Sequence, residues 1–96
     1  MVTDVYIDKL IEEWASVKPA KSNKLRGALK HCKSISEPDI QYYMRNAKRF
    51  VDSRKSYEEA NKRGDWTARS IAYQNMENVR NKFRELVNKT KQSIKE

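Results

Sequence analysis

The chain has one histidine and one cysteine, His31 and Cys32, and they are adjacent. They are the first residues to consider as a base and a nucleophile. Neighbours on a helix point about 100° apart, so imidazole and thiol are not expected to meet, and Cys32 reads as a small core residue. Zinc would need further thiolates or imidazoles than this pair supplies. Glu12-Glu13 and Glu58-Glu59 are the adjacent carboxylate pairs, and on a helix they too diverge into solvent. The two glycines, Gly27 and Gly64, stand 37 positions apart, which leaves no glycine-rich loop to cradle a phosphate. The expectation is a protein without catalytic activity, cofactor or metal.

Charge is the feature that could carry function. The formal net charge is +8, from 21 Lys and Arg against 13 Asp and Glu. It is unevenly spread: up to Val17 there is one base, Lys9, against Asp4, Asp8, Glu12 and Glu13. From Lys18 to Ser36 there are Lys18, Lys21, Lys24, Arg26, Lys30 and Lys33 and no acid. Arg26, Lys30 and Lys33 fall at i, i+4 and i+7, so a helix would gather them in one row. Further on, Tyr42, Arg45 and Arg49, with Lys48 at their flank, fall opposite the apolar positions of their segment and should face solvent. Bases that grip phosphates and a tyrosine free to stack are what a sequence-tolerant nucleic-acid surface requires. DNA or RNA is therefore the expected partner. The two basic rows would form one patch if the segment carrying the first lies along the second.

A competing reading is a helical module that docks on an acidic protein surface, as an adaptor or as an inhibitor of the kind viruses and mobile elements use against a nucleic-acid channel. Its candidate residues are Arg63, Trp66 and Arg69, because tryptophan and arginine are enriched among interface hot spots. The plainer role for Trp66 is a staple that packs the turn. Self-association as a homodimer is a third expectation, should the apolar seam of the last helix outrun its cover.

The elements that must position these residues are helices. The sequence has 96 residues, 38% apolar and 35% charged, with two glycines and two prolines, which suits amphipathic helices and leaves too few breaks for many short strands. Thr3 caps a first helix over residues 4–17, with Ile7, Leu10, Ile11, Trp14 and Val17 on one face and an acidic outer side. Ser22 caps a second over 23–33 that buries Leu25, Ala28, Leu29 and Cys32. Ser36-Glu37-Pro38-Asp39 starts a third over 37–62, with a serine cap and acids in the first turn. Its apolar face is Ile40, Tyr43, Met44, Ala47, Phe50, Val51 and Tyr57. Arg54 falls within that stripe, either snorkelling outward or meeting an acid from another helix.

Gly64-Asp65 ends that helix and caps a fourth over 66–92, whose Ala72, Met76, Val79, Phe83, Leu86 and Thr90 form a heptad-like seam. So short a turn makes the last two helices an antiparallel hairpin. The expected fold is all-α, one domain over 1–96: two short N-terminal helices packed on a long hairpin, in a four-helix, bundle-like arrangement. No apolar run is long enough to cross a bilayer and the first residues lack a signal peptide's bases, so no membrane is expected and the cytoplasm is the expected compartment.

The connection Lys33-Ser34-Ile35-Ser36 resembles that of a helix-turn-helix, with Ile35, Ile40 and Tyr43 at its buried positions over about twenty residues. It departs from that motif in Lys30 and Lys33, where small or apolar residues belong, and in Glu37 and Asp39, which would repel a DNA backbone. Gly64-Asp65-Trp66 resembles the turn of a tetratricopeptide hairpin, but no second copy follows.

Overall fold

The computed structural model describes residues 3–18, 24, 25, 27, 29–32 and 35–95, with side chains as far as Thr90. Among the described residues the chain is all-helical, with three long helices and no strand. They are α1 (Asp4–Ser16), α2 (Glu37–Arg63) and α3 (Trp66–Lys95). None is long and apolar enough to cross a membrane.

Each helix begins and ends for a local reason. The Thr3 hydroxyl accepts the Tyr6 amide at 3.2 Å and opens α1. Pro38 stands in the first turn of α2, where its missing donor costs nothing, beside Glu37 and Asp39, which complement the helix dipole. Ser36 occupies the cap position in extended conformation, but its side chain makes no capping bond, contrary to expectation. The dipole and the proline carry that start without it. Gly64 closes α2 in the left-handed conformation at φ 71°. The Asp65 amide then reaches back to the Ala60 carbonyl at 2.9 Å and the Gly64 amide to that of Asn61 at 3.3 Å, a Schellman closure that satisfies two terminal carbonyls. Asp65 Oδ1 accepts the Ala68 amide at 3.2 Å and starts α3.

A four-helix count is not found. Lys24, Leu25 and Gly27 are helical, but the chain has left the helix by Leu29 and turns through Lys30 and His31; Ser22, Ala28 and Lys33 lie outside the described residues. The turn is made by His31, a non-glycine residue at φ 66°, at a cost of about 1 kcal/mol. Leu25, Leu29 and Cys32 are buried as their spacing implied. The Cys32 thiol lies within reach of the carbonyls of Leu25 and Leu29, at 3.3 and 3.1 Å, for its one proton. The helix expected over 23–33 is present at Lys24, Leu25 and Gly27 and is over by Leu29, short of its expected end.

The hairpin of α2 and α3 buries the expected faces: Ile40, Tyr43, Met44, Ala47 and Phe50 against Ala72, Met76, Val79, Phe83, Leu86 and Thr90, with Val51 and Tyr57 half-buried. α1 packs against both helices of this hairpin. Its Ile7, Leu10, Ile11 and Trp14 join the same core cluster as Leu25, Leu29, Cys32 and Ile35. Trp14 stands at the junction, edge-on to Phe83 at 5.6 Å and to Tyr43 at 6.1 Å between centroids, and its Nε1 donates to the Lys30 carbonyl at 3.2 Å.

The two glycines should respond oppositely to alanine. Gly64→Ala forces a side chain into the left-handed region and should cost about 1 kcal/mol. Gly27 is helical and an added Cβ there meets nothing within 4 Å, so Gly27→Ala should gain about 0.5 kcal/mol. Urea denaturation of the two variants checks the signs.

Candidate nucleic-acid interface

The acids of α1 decide which arginines remain available. Asp4, Asp8 and Glu12 recur every fourth residue; Asp4 and Glu12 are exposed, as an acidic outer side requires, and Asp8 is half-buried, but the row also borders the hairpin and pairs with its arginines. Asp4 pairs with Arg84 and Glu12 with Arg54. Asp8 takes Arg80 in a two-point grip, Oδ1 to Nε at 2.7 Å and Oδ2 to Nη2 at 3.0 Å, while Arg80 Nη1 holds Glu77 at 2.7 Å. Arg54 thus takes the second of its two expected fates. Arg54 and Arg80 also lie over the fully buried Phe50 ring, at 5.8 and 5.4 Å. The hydrogen bonds from Asp8 raise the pKa of Arg80 further above its already high value, with burial opposing and Glu77 adding, so this cation is permanent.

On the other side of the hairpin a groove runs between α2 and α3, lined by Arg45, Lys48, Arg49 and Ser53 on one wall and Ile71 and Asn75 on the other. α1 does not line it. Tyr42, Arg45, Arg49, Ser53 and Ser56 follow at spacings of three and four, so they form one stripe of about 21 Å. Tyr42 extends the stripe beyond Arg45; it is 40% exposed, and Lys82 Nζ of α3 sits 5.9 Å from its ring centroid. Arg45, Lys48 and Arg49 are exposed and have no ion pair among the described residues. Asp52 is the acid in this wall. The solvent-facing placement expected for Tyr42, Arg45, Lys48 and Arg49 is what the structure has.

The α3 wall was not legible in advance. Ile71 and Asn75 each precede a seam residue, Ala72 and Met76, and only the register between the helices turns them toward the groove. Lys24 and Lys30 are exposed, while Lys21, Arg26 and Lys33 lie outside the described residues. The described part of this segment is tied to α1 and α3 by side-chain bonds and shares a core cluster with residues of all three helices. The Lys30 carbonyl is held by Trp14 of α1, and the His31 ring bridges Tyr6 of α1 at 2.6 Å and Thr90 of α3 at 2.8 Å.

The Thr90 hydroxyl also lies 3.1 Å from the Leu86 and Val87 carbonyls of its own helix.

At the hairpin tip, Trp66 is 60% exposed and does not staple the turn into the core. Arg69 lies against it, and Arg63 is exposed outside that contact. Among the described residues no cluster of His, Cys, Asp and Glu could hold a metal.

Two measurements check these electrostatics. In a double-mutant cycle, Asp8→Ala with Arg80→Ala should show a coupling of about 1–2 kcal/mol, because the grip is two-pointed and partly buried. The exposed pair Asp4 and Arg84 should show about 0.5 kcal/mol or less. Burial, aided by Glu85 and Asp39, pushes the Tyr43 hydroxyl above its ordinary value of 10.0. The stability this contributes is fully present below that pH and is lost as pH rises past it. Tyr43→Phe should remove that alkaline loss in a melting series.

No known protein family, curated protein or solved structure matches the chain, so its function has to be argued from its own side chains.

Proposed function

We propose that this chain binds nucleic acid without sequence preference, gripping phosphates with Arg45, Lys48 and Arg49 and stacking a base on Tyr42. The observation that carries this is the division of charge. α1 commits its acids to Arg54, Arg80 and Arg84, while the groove bases have no such partners. A stripe of cations with an aromatic beyond one end favours a backbone with exposed bases. The exposed Lys24 and Lys30 add long-range attraction, and Lys21, Arg26 and Lys33 add to the charge of the same sequence segment. In this reading the chain is one non-catalytic binding domain of the cytoplasm, working without a cofactor.

Fluorescence anisotropy of labelled single-stranded DNA, RNA and duplex DNA, titrated with the protein at several salt concentrations, tests the reading. Binding should weaken steeply with salt. The Arg45→Ala, Lys48→Ala, Arg49→Ala variant should flatten the slope of log affinity against log salt by about one for each phosphate no longer gripped, and Tyr42→Ala should weaken binding without changing the slope. The Lys24→Ala, Lys30→Ala variant measures the contribution of these two lysines separately. If no ligand binds at low salt, the proposal fails and the groove's cations belong to contact with an acidic protein surface.

A further inference from the structure

The face of the hairpin that α1 covers does not end where α1 ends. Tyr57 follows Arg54 by three residues and Tyr73 precedes Arg80 by seven, so both continue that face toward the tip. There a depression is lined by Tyr57, Trp66, Arg69, Ser70, Tyr73 and Gln74. Trp66 and Tyr73 are 60% and 49% exposed. The Arg69 guanidinium lies 5.2 Å from the centroids of both the Tyr57 and the Trp66 rings. Its Nε and Nη2 donate to the Tyr57 hydroxyl at 3.1 and 3.0 Å. It has no carboxylate partner among the described residues. Five donors on a guanidinium and one tyrosine oxygen leave Nη1 and part of Nη2 for an outside acceptor.

The molecule itself shows what covers such a surface. Lower on the same face, Arg54 and Arg80 flank the Phe50 ring and each takes a carboxylate from α1, whose apolar stripe packs beside them. The tip repeats that chemistry with Arg69 between Tyr57 and Trp66, but among the described residues no acid pairs with this arginine and α1 does not line the depression. We infer that the tip docks an acidic amphipathic helix of a partner protein, a carboxylate on Arg69 and apolar side chains against Trp66 and Tyr73. An arginine already fixed by hydrogen bonds and stacking loses little further freedom on binding, which is where hot-spot affinity comes from. The surroundings select a single carboxylate over a polyphosphate: Glu58, Glu59 and Asp65 equal Lys62, Arg63 and Arg69 in number along this stretch. This inference is independent of the nucleic-acid proposal, because the tip depression and the basic groove share no lining residue.

The probe is a labelled synthetic peptide of residues 3–17, the sequence of α1 itself, titrated against the whole protein. Binding should be weakened about tenfold by Arg69→Ala and by Trp66→Ala, and less by Arg69→Lys, which keeps charge without the planar fork. A peptide with Asp4, Asp8, Glu12 and Glu13 converted to their amides should not bind. Neither residue is buried in the core, and unchanged melting of the variants confirms that the effect is local. No binding up to about 1 mM, or binding indifferent to both tip variants, overturns the inference. So does a sedimentation result in which the protein alone dimerises through Arg69, since the occupant is then a second copy. Tip variants that weaken single-stranded DNA instead of the peptide overturn it in favour of nucleic acid.

Discussion

Everything in this fold hangs on the burial of one indole. A hairpin of two helices closes its seam but leaves a flank of aromatic edges open to water, and Trp14 is the side chain that fills it. Its ring meets Tyr43 of α2 and Phe83 of α3, which are themselves 5.5 Å apart between centroids. Its nitrogen fixes the connecting turn through the Lys30 carbonyl. A fully buried tryptophan is worth about 3–5 kcal/mol against alanine, a large share of the about 5–15 kcal/mol that holds a small domain together. Phe50 and Phe83 are buried as completely, but both belong to the hairpin itself, and Trp14 is the buried aromatic that α1 brings to it. The placement of α1, and with it the exposure or cover of each hairpin face, follows from where this ring can go.

Charge then follows packing. Once Trp14 has set α1 against the hairpin, Asp4, Asp8 and Glu12 come to Arg84, Arg80 and Arg54, and the two cations beside Phe50 are held by partners as well as by the ring. A net charge of +8 is therefore not a uniform coat. The face under α1 is internally balanced, and the groove between α2 and α3 keeps bases that have no ion pair among the described residues. Acids gathered at one end of the sequence have the effect of sorting bases that come from the other end.

What the sequence disclosed was periodicity. The core faces of all three helices, the Thr3 start, the Gly64-Asp65 reversal and the outward aspect of Tyr42, Arg45 and Arg49 all follow from spacings of three and four and from local capping, and the structure has them. What it concealed depends on contacts between segments. A spacing of apolar residues does not distinguish a helix through Cys32 from a turn at His31, and the His31 ring bonds reach Thr90 and Tyr6, 59 and 25 residues away. The Asp4, Asp8, Glu12 row was visible as a row, but a row of acids beside an apolar stripe reads as solvated until the arginines opposite are known. The groove wall of Ile71 and Asn75 and the aromatic setting of Arg69 were hidden for the same reason.

The His31 bridge fixes one more property. Tyr6, near the start of α1, and Thr90, in the far part of α3, bind the two nitrogens of one ring, so the strand of chain entering the fold and the one leaving it lie at the same pole. α1 and α3 run in opposite directions from that pole, since Asp4 and Asp8 meet Arg84 and Arg80 in turn. A force pulling these two points apart loads the bonds one after another. The His31 bonds break first, then Asp4 from Arg84, then Asp8 from Arg80, in the manner of a zipper. A pull along that axis meets these contacts in order, with the buried Ile7 and Leu10 between them, whereas heat or denaturant meets them together.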